Sequence, residues 1–278
     1  MIYLNGEFLP IEEARISVLD RGFIFGDGVY EVIPVFGRRP FRLDEHLARL
    51  AHSLAGIRLA NPFAEPGWRD LIAALIAKQP FVDQAIYLQI TRGVARRDHA
   101  FPAGVPPTVF LMSNPLPRPS AEQIEHGVAA ITAPDERWRH CDLKTTSLLG
   151  NVLMRALAVE NDAVETILLR EGLLTEGAAT NVLIVREGRI LAPQMDWRIL
   201  PGITYGAVHD CAQAAGLPFE TRDITESELR GADEIWLSSS TKDVLAVTRL
   251  DGQPVGAGVP GPMFGRMLAL FTEARLKA

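Results

Sequence analysis

The stretch Asp20–Ile33, "DRGFIFGDGVYEVI", decides how this chain is read. Gly26 and Gly28 bracket Asp27, so the backbone turns sharply there. It then runs at once into a strand-like pattern through Tyr30 and Val32, two residues that point the same way. A tight turn accounts for the glycines. It does not explain why an aromatic hydroxyl stands where a strand begins.

Working outward, the flanking segments alternate between strand and helix patterns. "IYLNGEFLP" reads as a hairpin around Asn5-Gly6, a favoured pair for a two-residue type I′ turn. "YEVIPVF" is a strand, and Gly37 with Pro40 marks its turn. "RLDEHLARLAHSLAGI" has the helical period, with Leu47, Leu50 and Leu54 on one face and Asp44 as N-cap. "WRDLIAALIAKQ" is a second helix, and "QAIYLQITRGV" and "PTVFLMSNP" are strands. Beyond a proline-dense segment come the strand "GVAAITAP" and a helix with Leu148, Leu149, Val152, Leu153 and Ala156 on its apolar stripe. Strands joined by Glu-Gly turns follow, then the helix "GITYGAVHDCAQAAGL" closed by Gly216, two strands around "SSST", and a last helix. The pattern predicts two α+β or α/β domains: 1–114, a linker at 115–121, and 122–278.

Composition narrows the function. The 278 residues carry a formal charge of −6, which argues against a nucleic-acid binder. No apolar run is long enough to span a bilayer, so no membrane partner is expected. The first residues lack a signal-peptide pattern, and a cytoplasmic protein is expected. Cys141 and Cys211 are too few for a disulfide framework. No HExxH, paired CxxC or phosphate loop is present, so no metal site is expected.

Only four lysines occur: Lys78, Lys144, Lys242 and Lys277. Lys78 ends a helix and Lys277 lies at the C-terminus. Lys144, in "CDLK", has two readings: a surface lysine leaving a strand, or an amine held in a cleft and activated for Schiff-base formation. The cleft reading needs companions. The helix start "PGIT" offers free N–H groups for a phosphate, and "SSST" offers hydroxyls. Glu176 offers a carboxylate for a pyridine nitrogen.

These segments occur together and in one order: "DRGFIFGDGVYEVI", "EHLARL", "YLQITRG" with "RRDHAFP", "RWRHCDLKTTSLLGNVLMRA", "LLTEGAATNVL", "LPGIT" and "EIWLSSSTKDV". In this they resemble the fold-type IV pyridoxal-phosphate enzymes, the D-amino-acid aminotransferases above all. The resemblance covers nearly the whole chain. It implies a two-domain α+β / α/β fold with a C-terminal pseudo-barrel and pyridoxal 5′-phosphate between the domains. It implies Lys144 as the Schiff-base lysine and Glu176 as the partner of the ring nitrogen. Arg49, Ile203, Thr204, Ser240 and Thr241 then hold the phosphate, and Leu200 packs on the ring. Tyr30, Val32 and Tyr87 line the substrate pocket, and the Tyr30 hydroxyl answers the opening question by reaching the substrate carboxylate.

The family also contains branched-chain L-amino-acid and R-amine aminotransferases and aminodeoxychorismate lyases. Arg97 and His99, in "RRDHAFP", resemble the arginine-x-histidine segment of the D-amino-acid branch. Two residues apart in extended backbone, they face one side, and together they offer a carboxylate three donors. The expectation is a transaminase acting by a two-stage exchange between a D-amino acid and a 2-oxo acid. A homodimer is implied, with the Arg97 loop reaching across its interface. Outside the family, the alternative is a non-catalytic small-molecule binding protein. The chain departs from its relatives at Ala178, Ala179 and Thr180, where serines are usual, and at Lys242 and Tyr205.

Overall fold

The computed structural model describes residues Met1–Lys277, which form two compact units. The first comprises Met1–Leu116 and Leu143–Leu148, and the second Pro117–Asp142 with Leu149–Lys277. The expected boundaries left all of 122–278 in the second domain. The short segment around Lys144 instead returns to the first.

In the first unit, β1 (Ile2–Leu4) and β2 (Glu7–Leu9) form the hairpin. Asn5 and Gly6 both take positive φ, as a type I′ turn demands. A single turn of helix follows, α1 (Arg21–Phe25). The Asp20 carboxylate caps it by accepting from the Gly22 N–H at 2.8 Å, and Gly26 ends it at φ 64°. Then come β3 (Gly28–Phe36), β4 (Arg39–Pro40), the helices α2 (Leu43–Gly56) and α3 (Glu65–Ala77), β5 (Gln84–Thr91) and β6 (Thr108–Pro115). The six strands form an antiparallel sheet in the order β2-β1-β6-β5-β3-β4.

Alternation along β3 puts Val29, Ile33 and Val35 into one core with Leu47, Leu50 and Leu54 of α2 and Trp68, Ile72 and Leu75 of α3. One member of that inward row is not apolar: Glu31, which is 1% exposed. Asp44 is not the N-cap expected of it. The cap position belongs to Arg42, in left-handed backbone, and Asp44 lies in the first turn, where its charge suits the helix dipole.

The second unit contains α4 (Ala121–His126), β7 (Val128–Pro134), α5 (Leu149–Glu160), β8 (Glu165–Arg170), β9 (Leu173–Gly177), β10 (Asn181–Arg186) and β11 (Arg189–Ala192). It continues with α6 (Ile203–Ala214), β12 (Phe219–Thr221), α7 (Glu226–Arg230), β13 (Glu234–Ser239), β14 (Asp243–Leu250), β15 (Gln253–Pro254) and α8 (Pro262–Lys277). Its mixed sheet runs β12-β11-β10-β13-β14-β7-β8-β9, with β15 paired to β14. The core of this unit holds Val182, Ile184, Ile235, Leu237, Leu245 and Val247.

Two expectations fail beyond residue 116, and one element has no counterpart in the sequence reading. That element is α4, although Ser120 and Gln123 form a capping box that marks its start. Lys144 does not leave a strand, since residues 143–148 are irregular apart from an isolated bridge from Thr145 to Val29. The stripe of α5 does not face a core: Leu149, Val152 and Leu153 are 72%, 58% and 56% exposed. Periodicity reports an apolar face, not what covers it.

Candidate active site

The glycines of the opening stretch dock the segment that carries Lys144. A Cβ on Gly26 would lie 2.7 Å from the Ser147 hydroxyl, and one on Gly28 would lie 2.6 Å from the Ile90 carbonyl. At Gly26 only glycine lets residues 143–148 approach so closely, while at Gly28 the tighter neighbour is β5 and the Thr146 hydroxyl would lie at 3.2 Å. The Tyr30 N–H donates to the Lys144 carbonyl at 2.9 Å, and the Thr146 N–H donates to the Gly28 carbonyl at 3.0 Å. The Lys144 N–H donates to the hydroxyl of buried Ser53 at 3.0 Å. Lys144 is thus gripped by its own backbone, and its amine is free to project. Nζ lies 4.2 Å from the centroid of the Tyr30 ring.

Tyr30 and Tyr87 stack across β3 and β5 with centroids 5.6 Å apart, and Val32 pairs with Tyr87 in register. The Tyr87 hydroxyl donates to Gln89 at 2.6 Å. Burial and the neighbouring Tyr30 push its pKa up to about 12, so it remains a phenol. Tyr30, Val32 and Tyr87 are therefore neighbours on one face of the sheet, with Lys144 set against Tyr30.

Arg49 stands behind this group. Its Nε and Nη2 donate to the two oxygens of Glu31 at 2.7 and 2.8 Å. His46 Nδ1 contacts the same carboxylate at 2.8 Å. Burial alone would raise the Glu31 pKa, but Arg49 and His46 hold it well below the usual carboxylate range. Burial, together with Arg49 and Lys144, outweighs Glu31 at His46 and lowers its pKa, which leaves the ring neutral at pH 7. Its Nε2 is buried without a partner. The sequence marks Arg49 for a phosphate but does not show its pairing with Glu31 or the contact from His46. The available signal was polar residues at inward-facing positions of a strand and a helix.

Within the second unit, Glu176 lies on β9. Its Oε1 accepts from Arg137 at 2.6 Å, and its Oε2 from the Leu200 N–H at 3.1 Å and the Asn181 amide at 3.2 Å. Arg137 also donates to both oxygens of Asp135 at 2.9 Å, and Arg170 lies 3.1 Å from Asp135. Burial pushes the Glu176 carboxyl up to about 7, with Arg137 opposing. Such an acid has the proton affinity to share a proton with a basic ring nitrogen. Arg137, Asp135 and Asn181 were not predicted, since they come from loops and a strand end with no periodic signature.

Gly202 precedes α6 and offers no side-chain cap, so the first-turn N–H groups at Ile203 and Thr204 face outward from the helix start. A Cβ on Gly202 would fall 1.9 Å from the Asn181 side-chain oxygen, which makes this glycine a requirement of packing. At the turn between β13 and β14, the Ser239 and Thr241 hydroxyls lie 3.5 Å apart beside Ser240. The buried Ser238 hydroxyl has no partner. Lys242 turns toward Glu165, 3.9 Å away, rather than simply to solvent, and the Thr180 hydroxyl donates to the same carboxylate at 2.9 Å.

Arg97 and His99 lie on the exposed loop between β5 and β6. Both lean on Phe25: the Arg97 Cζ lies 5.5 Å and the His99 ring 5.4 Å from its centroid.

The model of the amino-transferase class IV family matches residues 28–250. The chain belongs to the class IV aminotransferases. Among curated relatives, the D-alanine aminotransferase of Bacillus licheniformis is 40% identical over 262 residues, 94% of this chain and 92% of that protein. The D-alanine aminotransferase of Staphylococcus aureus strain MW2 is 38% identical over 263 residues, covering 94% and 93%. Among solved structures, the branched-chain amino acid aminotransferase of Escherichia coli matches with a TM-score of 0.92 at 26% identity, covering 98% of this chain and 93% of that one. The T.th. branched-chain amino acid aminotransferase with pyridoxamine 5′-phosphate matches with a TM-score of 0.91 at 27% identity, covering 99% and 93%.

Class IV aminotransferases work with pyridoxal 5′-phosphate. The residues here fit that group. Taken unit by unit, the first holds a projecting amine of the kind an aldehyde requires, and the second holds a buried acid near neutrality, an uncapped helix start and an unpartnered buried hydroxyl of the kinds that a pyridine nitrogen and a phosphate require.

Proposed function

We propose that this class IV aminotransferase moves amino groups between D-amino acids and 2-oxo acids, with D-alanine or D-glutamate among the donors. The observation that carries this reading is the near-full-length similarity to D-alanine aminotransferases, at 36–40% identity. The arginine-x-histidine segment supports it. When bound, pyridoxal 5′-phosphate supplies the electron sink for charge left on the substrate Cα. The Lys144 amine takes the Cα proton and passes it on, as base and then as acid. Glu176 keeps a proton at the ring nitrogen, and Arg137 and Asn181 hold Glu176 in place. Arg97, His99 and the Tyr30 hydroxyl hold the substrate carboxylate, so its orientation selects the hydrogen offered to Lys144. Val32 and Tyr87 line the side-chain pocket. Arg49, Ile203, Thr204, Ser240 and Thr241 hold the phosphate, and Leu200 packs on the ring.

A second reading is a branched-chain L-amino-acid enzyme, favoured by the TM-score of 0.92 to such an enzyme. Half-reactions decide between them. D- and L-alanine, D- and L-glutamate and L-leucine are each mixed with loaded enzyme, and conversion of the cofactor spectrum is followed. Reaction with D-alanine and D-glutamate, and not with L-leucine, is expected. The reverse order would overturn the D-specific reading.

We further propose a homodimer. The apolar stripe of α5, exposed at Leu149, Val152, Leu153 and Val159, is the surface best suited to meet a second copy. Among the described residues no helix is long and apolar enough to cross a membrane, so a lipid contact through such a helix does not explain that stripe.

A further inference from the structure

The loop that carries Arg97 and His99 is exposed and has no regular structure, yet it is tied down at two points. The first tie is Arg21, 3% exposed, at the head of α1. Its Nη1 donates to the carbonyls of Asp98 at 2.5 Å and Ala100 at 3.3 Å, the residues on either side of His99. Its Nε donates to Asp27 at 2.8 Å. One turn further along α1 stands Phe25, the ring shared by Arg97, His99 and the Arg21 guanidinium, the last with its Cζ at 4.9 Å.

The second tie is Arg92. It donates to both oxygens of Asp27 at 2.8 and 2.9 Å and to the carbonyls of Ile57 and Arg58 at 2.7 and 3.1 Å. Its Cζ lies 3.8 Å from the centroid of the Phe101 ring. Burial raises the Asp27 pKa, but the two arginines outweigh it and hold the carboxyl below its usual range. The loop is therefore pinned on both sides of His99 by cations that share one anion.

The arrangement bears on recognition. A guanidinium fork and an imidazole N–H bind one carboxylate well only when their separation is set in advance, because ordering two mobile side chains on binding costs affinity. Phe25 gives both groups one surface, and Arg21 fixes the backbone beneath one of them. We propose that Arg21 and Phe25 are positioning residues for the substrate carboxylate, setting the spacing of the Arg97 and His99 donors. The inference rests on the reading of Arg97 and His99 as carboxylate donors. It gives "DRGFIFGDG" a second task beyond docking the Lys144 segment.

The test compares cofactor-loaded wild type with Arg97→Ala, Arg21→Ala, Phe25→Leu and Phe25→Tyr. Steady-state KM and kcat for D-alanine, cofactor affinity by reconstitution, and tryptic cleavage after Arg96 or Arg97 are measured for each. Arg21→Ala and Phe25→Leu are expected to raise KM about tenfold, with kcat and cofactor affinity within about threefold of wild type. Arg21→Ala should also hasten cleavage in the loop, and Phe25→Tyr should restore KM. Asp27 keeps both bonds from Arg92 when Arg21 is lost, so that variant has no orphaned acid. Should it fail to fold, the Phe25 pair decides alone. If Arg97→Ala leaves KM unchanged, the carboxylate reading fails and takes this inference with it. If Arg97→Ala raises KM but Arg21→Ala and Phe25→Leu do not, the inference alone is overturned. Equal losses in KM, kcat and cofactor affinity would mark a general structural role and overturn it too.

Discussion

Replacing Arg137 with methionine tests how Glu176, the acid proposed for the ring nitrogen, is held. The guanidinium joins two buried carboxylates, with 2.6 Å to Glu176 and two bonds of 2.9 Å to Asp135. The two acids fare differently without it. Asp135 keeps Arg170 at 3.1 Å and the Thr175 hydroxyl at 3.0 Å. Glu176 keeps only the Leu200 N–H and the Asn181 amide, neither of them charged. Removing one partner of a buried pair costs about 3–5 kcal/mol when the other is left charged. Here Asp135 retains a cation, and Glu176 can escape by binding a proton, so a loss of about 2–3 kcal/mol at neutral pH is expected.

The pH dependence carries the sign. The folded-state pKa of Glu176, about 7, lies above the ordinary value of 4.5. Its contribution to stability is therefore complete below about 4.5 and is lost as pH rises through the folded value. In wild type that loss is finished a little above pH 7. In Arg137→Met the folded value moves higher, so the loss continues. The deficit of the variant should be level from pH 5.5 to 7 and then grow by about 1.4 kcal/mol per pH unit until the new folded value is passed. Denaturant unfolding of both proteins, stripped of cofactor, at half-unit steps from pH 5.5 to 9 measures it. A deficit that stays flat across that range would falsify the claim that Arg137 sets the proton affinity of Glu176.

Three further outcomes are expected. Lys144→Ala should lower turnover by a factor of at least about 10³ while cofactor is still retained, and normal turnover in the purified variant would refute its assigned role. Glu31→Gln leaves buried Arg49 with a neutral partner; it should cost about 3 kcal/mol of stability and weaken cofactor binding, read from denaturant unfolding and reconstitution titrations, and unchanged values for both would refute the buried pair as a support. Leu153→Glu places a charge in the exposed stripe of α5 and should yield monomers by light scattering; an unchanged dimer would move the interface elsewhere.

Much of the fold was legible because local rules set it. Asn5-Gly6 allows both positive φ angles of a two-residue turn, so the first hairpin could be read directly. Glu171-Gly172 and Glu187-Gly188 mark two further turns by the same backbone freedom. Leu47, Leu50 and Leu54 recur at the helical period and are buried as the period implies. Lys144 stood out because only four lysines were available, and Glu176 because its segment resembles that of the family.

What could not be read depended on partners distant in the chain. The stripe of α5 is as apolar as a core face, yet burial is a property of what lies opposite, and it faces outward. Glu31 is tolerated on an inward row only because Arg49, 18 residues later, neutralises it and His46, 15 residues later, bonds it. Glu176 owes its raised proton affinity to burial, which Arg137, 39 residues earlier, opposes. The sequence by itself determined turns, periods and the short list of reactive side chains, since these follow from steric and chemical properties within a few residues. Only the tertiary structure decided which charges are paired, which apolar faces are covered, and that residues 143–148 return to the first unit. Coulomb and desolvation energies depend on distance in space, and separation along the chain does not report it.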